Sequence, residues 1–160
     1  DVLTFNTYCL TPMITVNGPG DWQATLDAWK SAAGDMPILI QELGCPAGYG
    51  RDRSGPYAGR HSGIGASADT QDAYLAWHVE RFLADPQLRG ATWFQLVDWS
   101  PALSRAFTAV FAEEGLDRLG RRVEEWLATT GLCRWSDLTC GPAWDTWLRA
   151  MARLADARRE

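Results

Sequence analysis

The sequence predicts a parallel α/β fold in which three strands alternate with helices and a further helix closes the chain. Three observations predict it. Val2–Tyr8, Met36–Gly44 and Ala91–Asp98 are short β-prone runs. The stretches that follow each of them repeat apolar residues at helical spacing. Gly34, Asp85-Pro86 and Ser100-Pro101 punctuate the boundaries. Strand–helix alternation implies parallel pairing through right-handed crossovers. The 160 residues suffice for one domain, and 46% hydrophobic with 22% charged content is that of a globular chain.

Taken in order, Val2–Tyr8 alternates, with Leu3 and Phe5 on one face and Thr4 and Asn6 on the other. Thr11–Gly20 reads as loop. Asp21 is then expected to cap a helix with the stripe Trp22, Leu26, Trp29 and Ala33, stopped by Gly34. Met36–Gly44 is short enough to be a strand buried on both faces, with Ile38, Ile40 and Glu42 on one side and Leu39 and Gln41 on the other. Cys45–Ala66 is a long irregular connection that overhangs any site at that strand's carboxyl end. Ser67 or Asp69 caps the next helix, which carries Leu75, Val79, Phe82 and Leu83 and ends at Asp85-Pro86; His78 beside that stripe reads as a core or boundary histidine.

In Ala91–Asp98, Phe94 and Leu96 are expected to face helices, and Trp93, Gln95, Val97 and then Trp99 the opposite side. Pro101–Glu114 reads as a second long connection with a helical turn around Leu103–Phe111. Leu116, Leu119, Val123, Trp126 and Leu127 mark an amphipathic helix ended by Gly131, and Leu132–Gly141 is turn-like. Pro142 opens a terminal helix with Trp144, Trp147, Leu148, Met151 and Leu154 on its apolar side, and the charged tail Asp156–Glu160 is expected to fray. Trp22, Trp29, Trp126, Trp144 and Trp147 are assigned to the core.

A net charge of −5 without a basic block argues against nucleic acid or an anionic membrane as partner. No apolar run approaches the ~20 residues of a membrane span, and no signal peptide is visible. The chain opens with Asp1 directly on a strand, as a processed or truncated chain would. Four cysteines are present without a C-x-x-C pair, and His61 and His78 lie away from them, so zinc is not expected, and no cofactor is. Cys133 and Cys140 bracket a short loop that a disulfide can close. Cys9 and Cys45 each follow a strand end and can meet across neighbouring strands. Four free thiols are the alternative. Nucleophile-elbow, P-loop and dinucleotide-binding motifs are absent.

The residue that stands out is Glu42. A lone carboxylate ending a buried strand is costly unless it is hydrogen-bonded, paired or used. Carboxyl ends of parallel strands are where α/β sites are built. Glu42 is therefore the candidate catalytic residue, with a structural carboxylate paired to an arginine as the alternative.

Asp1-Val2-Leu3-Thr4-Phe5-Asn6-Thr7-Tyr8 resembles the sixth strand of retaining glycoside hydrolases with a (β/α)₈ barrel, the clan-A or "4/7" superfamily. Pro37-Ile38-Leu39-Ile40-Gln41-Glu42-Leu43-Gly44 resembles the seventh, whose glutamate is the nucleophile. Arg89 to Trp99 is similar to the eighth, which ends near a tryptophan lining a sugar subsite. Gly131-Leu132 through Pro142-Ala143-Trp144 looks like the closing segment of family-5-like members. Thr7, Cys9 and Cys140-Gly141 depart from the common pattern.

The resemblance implies that residues 1–160 are the C-terminal part, strands six to eight, of such a barrel, which needs eight strands and typically ~250 residues. It implies a retaining hydrolase of β-linked oligo- or polysaccharide with Glu42 as nucleophile. The acid/base glutamate would come from the fourth strand, in the N-terminal half of the barrel. Retaining chemistry needs two carboxyl groups about 5–5.5 Å apart, so this segment alone is expected to be inactive. The resemblance places Tyr8 on the carboxylate, Trp99 under a pyranose ring, and Asn6 and Gln95 as polar contacts. Tyr49, Arg51, Tyr57 and His61 of the overhanging loop would shape distal subsites. Asp98 is read as capping the turn at Ser100-Pro101. Two other readings remain: a non-catalytic carbohydrate-binding or interaction module derived from a glycosidase barrel, and a barrel hydrolase whose glutamate is a general base or metal ligand.

Overall fold

The computed structural model describes residues 1–9, 19–48 and 67–157. The expected loop from Thr11 and most of the Cys45–Ala66 connection, with Tyr49, Arg51, Tyr57 and His61, fall outside the described residues, as does the end of the tail. The chain is an α/β protein. Its elements are β1 (Leu3–Tyr8), α1 (Pro19–Ala33), β2 (Ile38–Gly44), α2 (Ala68–Ala84), β3 (Leu88–Trp93), α3 (Pro101–Glu113), α4 (Asp117–Leu127) and α5 (Pro142–Ala157). The sheet order is β1-β2-β3 and both pairs are parallel. Among the described residues no helix is long and apolar enough to cross a membrane.

Helices α1 and α2 cover one face of the sheet. Phe5 stacks on Trp29 at 4.7 Å, and Thr7 Oγ1 meets the Tyr74 hydroxyl at 2.9 Å. Ile38 packs with Leu26, Ala33 and Leu88; Ile40 and Leu43 pack with Trp22, Tyr74, Leu75 and Val79. Helix α1 begins at Pro19, so Asp21 sits in its first turn instead of capping it. Gly34 ends it as expected, at φ +57° with its N–H on Lys30 O, a conformation open to glycine at little cost. Ser67 is the N-cap of α2; its Oγ accepts from Thr70 N at 3.0 Å.

His78 is a core residue. Burial pushes its imidazole down to about 4; the Tyr74 carbonyl on Nδ1 opposes that shift and nearby Arg81 adds to it. The ordinary value is 6.5, so between these limits the unfolded chain binds a proton that the folded chain refuses. Stability therefore falls as pH drops from about 6.5 to about 4, by up to about 3 kcal/mol. Denaturant titrations across that window are expected to show the loss, and His78→Gln to flatten it. An equal slope in the variant would assign the acid sensitivity elsewhere.

Three elements differ from the sequence expectation. The third strand lies three residues earlier than Ala91, because pairing starts with Ile38 N on Gln87 O and the buried Leu88. After Phe94 N bonds Leu43 O, the backbone leaves the sheet. Gln95 O, Leu96 O and Asp98 N pair instead with Leu132 N, Cys133 N and Cys133 O. The two sides are also reversed: Trp93 joins the helix-side core, Phe94 packs against Tyr8, and Leu96 is exposed. Second, the connection after Ser100 is a full helix. Ser100 Oγ accepts from Leu103 N, Pro101 occupies the first turn, and α3 packs on α4. Its buried positions are Ser104 and Thr108, while Leu103, Phe107 and Val110 are each about half exposed, so the usual apolar-inward pattern is inverted. Third, α4 closes at Ala128, before Gly131.

The terminal helix α5 opens at Pro142 as expected, but its buried stripe is Ala143, Thr146 and Ala150, flanked by Trp144 and Trp147. Leu148 and Met151 are exposed, and the side chain of Leu154 lies outside the described residues. Thr146 Oγ1 donates to Asp72 Oδ1 at 2.6 Å, tying α5 to α2. Both cysteine pairs are disulfides, Cys9–Cys45 and Cys133–Cys140, which removes the free-thiol alternative.

Candidate functional site

The face of the sheet turned away from α1 and α2 carries Thr4, Asn6 and Tyr8 of β1, because Leu3, Phe5 and Thr7 point to the helices. On β2 simple alternation fails. Phe5 lies opposite Ile40, yet the next pair is Asn6 opposite Glu42, so Gln41 is an extra, bulged residue. The ladder to β3 shifts at the same place, where Thr92 Oγ1 donates to Gln41 O. The bulge reverses the faces beyond it. Leu43 is buried on the helix side with Ile38 and Ile40, and Glu42 points to the opposite face. The expectation that Glu42 shares a face with Ile38 and Ile40 is thus corrected, and the correction takes the carboxylate out of the helix-side core.

Tyr8 and Glu42 meet there, the phenol Oη donating to Glu42 Oε2. Burial, then the hydrogen bond to Glu42 and the carboxylate's charge, raise the phenol well above its ordinary value of 10.0, so it stays protonated and keeps donating. Tyr8 is held by its ring: Trp126 of α4 lies edge-on at 4.9 Å and Phe94 at 6.1 Å, and these two stack on each other at 5.7 Å. Gly44, one pair along from Leu43, completes the seat. A Cβ there would stand 2.8 Å from Tyr8 Cε1 and 2.9 Å from Phe94 O, so the phenol can lie across the strand only because position 44 has no side chain.

The other expected site residues are placed as follows. Asn6 is the register partner of Glu42 and is exposed on the same face. Trp99 is half-buried and makes its ring contact with Phe107 of α3, edge-on at 5.6 Å, while its backbone N–H bonds Leu127 O. The aromatic that reaches Tyr8 from the end of β3 is Phe94. Gln95 donates its side-chain amide to Leu127 O at 2.8 Å, which ties the β3 exit to the end of α4. Tyr49 lies outside the described residues. Asp98 is buried, and its Oδ1 accepts from Gly131 N at 2.8 Å; the cap of the following helix is Ser100, which corrects the role expected for Asp98.

Sequence reasoning missed Phe94, Trp126 and Gly44 as parts of the site. Trp126 fits a helix packing stripe and carries no other mark. Gly44 carried a signal: two positions past a strand carboxylate, on the same face, it leaves room for a ring. Among the described residues no group of acidic, histidine or cysteine side chains is arranged to hold a metal ion.

The fold and this pair define an α/β protein with a carboxylate–phenol pair at the carboxyl end of a parallel sheet. No family model matches the chain, and no curated protein is significantly similar to it.

Proposed function

We propose that this chain forms strands six to eight of a retaining glycoside hydrolase barrel acting on β-linked sugars, with Glu42 as nucleophile. The observation that carries the reading is the Tyr8–Glu42 pair, on the sheet face turned from the helices and at the carboxyl ends of parallel strands. In a (β/α)₈ barrel this position would be the mouth, where active sites lie. The exposure of Thr4, Asn6, Gln41 and Thr92 also supports it, since in a closed barrel the rest of the strands would cover this face.

In this reading Glu42 attacks the anomeric carbon as a carboxylic acid from the other half of the barrel protonates the departing oxygen. A C–O bond to Glu42 forms and the glycosidic C–O bond breaks. The same partner, now a carboxylate, takes a proton from water, which attacks the anomeric carbon, breaks the C–O bond to Glu42 and releases the sugar with its configuration retained. Tyr8 steadies the attacking carboxylate and hands its hydrogen bond to the ester oxygen as charge leaves it. Asn6 stands on the same face for a sugar hydroxyl.

The test is a 2-deoxy-2-fluoro glycoside with a good leaving group, applied to the complete barrel and followed by peptide mass analysis. The expected result is one fluoro-sugar on the peptide holding Glu42. Turnover of the substrate with no label on that peptide would refute the assignment. Oligosaccharide binding with neither label nor turnover would favour the non-catalytic module.

A further inference from the structure

We infer that the Cys9–Cys45 disulfide is a register clamp that selects the bulged pairing of β1 with β2 and so positions Glu42 beside Tyr8. Two pairings compete beyond Phe5 opposite Ile40. In the observed one Gln41 bulges out and Tyr8 lies opposite Gly44, and one residue past each strand end Cys9 is bonded to Cys45. Cys9 N donates to Gly44 O at 3.1 Å, the two Cα atoms are 5.0 Å apart, and both cysteines are fully buried. Continued without the bulge, the pairing would set Thr7 opposite Glu42 and Cys9 opposite Gly44. Cys45 would then turn to the face opposite Cys9, and the sulfur atoms could not meet. The same slip would carry the carboxylate to the helix side, against the Thr7–Tyr74 pair, and the phenol of Tyr8 would lose its acceptor. The bond and the orientation of Glu42 therefore stand or fall together.

Burial of Leu43 on the helix side favours the same register. The disulfide acts on the two strand ends directly, closing a separation of 36 residues. It attaches one residue past Tyr8 and three past Glu42, so little slack remains between clamp and pair. Cys9 and Cys45 are thus positioning residues; the consequence for catalysis rests on the glycosidase reading above, whereas the geometry does not.

The experiment has two arms, both in the complete protein. Deletion of Gln41 removes the bulge. Thiols counted with an aromatic disulfide reagent in denaturant should rise by two over the undeleted protein, Cys133–Cys140 remaining bonded. A chain without Gln41 that still forms Cys9–Cys45 would overturn the inference. Cys9→Ala with Cys45→Ala removes the clamp. In NMR with ring-labelled tyrosine, the Tyr8 phenol should then titrate nearer its ordinary value, and kcat should fall about 10²-fold with little change in KM, as for a misplaced catalytic group.

Cys133→Ala with Cys140→Ala is the control and should move neither readout. Unchanged titration in the Cys9/Cys45 variant, or equal change in the control, would overturn the inference. A wild-type protein that meets the thiol count and titration but takes no fluoro-sugar label refutes the glycosidase reading alone.

Discussion

Replacing Glu42 by alanine is expected to lower turnover of an activated aryl β-glycoside by on the order of 10⁴- to 10⁶-fold, the range seen when a covalent nucleophile is removed. In the proposed mechanism the loss falls on kcat, because Glu42 is the group that forms the glycosyl ester. The fold should survive: Glu42 lies on the exposed side of the sheet, only partly buried, and among the described residues the side chain bonded to it is the Tyr8 phenol. Far-ultraviolet circular dichroism and the denaturation midpoint report this directly. Azide offers a second check, since it is small enough to enter the space vacated by the carboxylate. It would attack the anomeric carbon as the aryl oxide departs, giving a glycosyl azide of inverted configuration. Turnover equal to wild type in Glu42→Ala, with the fold intact, would refute the proposed role.

Gly131→Ala is the change with the largest expected effect on stability. A Cβ at this position would lie 2.3 Å from Asp98 N and 2.6 Å from Val97 C, both backbone atoms that cannot swing aside. Relief requires moving the 131–133 segment off the β3 exit, which breaks Gly131 N to Asp98 Oδ1 and loosens Asp98 N to Cys133 O. Overpacking and loss of buried hydrogen bonds together should cost about 3 kcal/mol or more. Urea titration measures it; a shift below about 1 kcal/mol would mean that this segment yields more easily than its packing implies.

Which parts of the structure were legible follows from what each residue has to satisfy. The first two strands are β-branched or alternating runs between turn signals, and they lie where pattern alone puts them. Ser67, Gly34 and Pro142 act through local backbone chemistry, so their roles could be read from neighbours in sequence. Helix α3 could not, because Ser104 and Thr108 face inward while Leu103 and Phe107 face out. The end of β3 could not either: its apolar alternation runs on through Val97, but the backbone partners change from β2 to the Leu132–Cys133 segment. The site is the sharpest case. Only the family resemblance joins Tyr8 to Glu42; unbroken alternation along β2 would put the carboxylate on the face of Ile38 and Ile40, under the helices. One inserted residue, Gln41, determines the outcome, and nothing in its own chemistry marks it.

The Gln71 carboxamide bears on how the chain reaches this state. Its nitrogen donates to Cys45 O, Thr130 O and Gly131 O, which are 26, 59 and 60 residues away along the chain. On a ribosome, α2 would emerge and coil well before residues 130 and 131 are made. Cys45 O is already made by then, but until the other two carbonyls arrive the amide lacks part of its acceptor set, and closing the amino end of α2 over the sheet is costly. The rim that carries Glu42 is therefore expected to set last, after the helix-side core, and a nascent chain halted short of Gly131 should keep that rim open to protease.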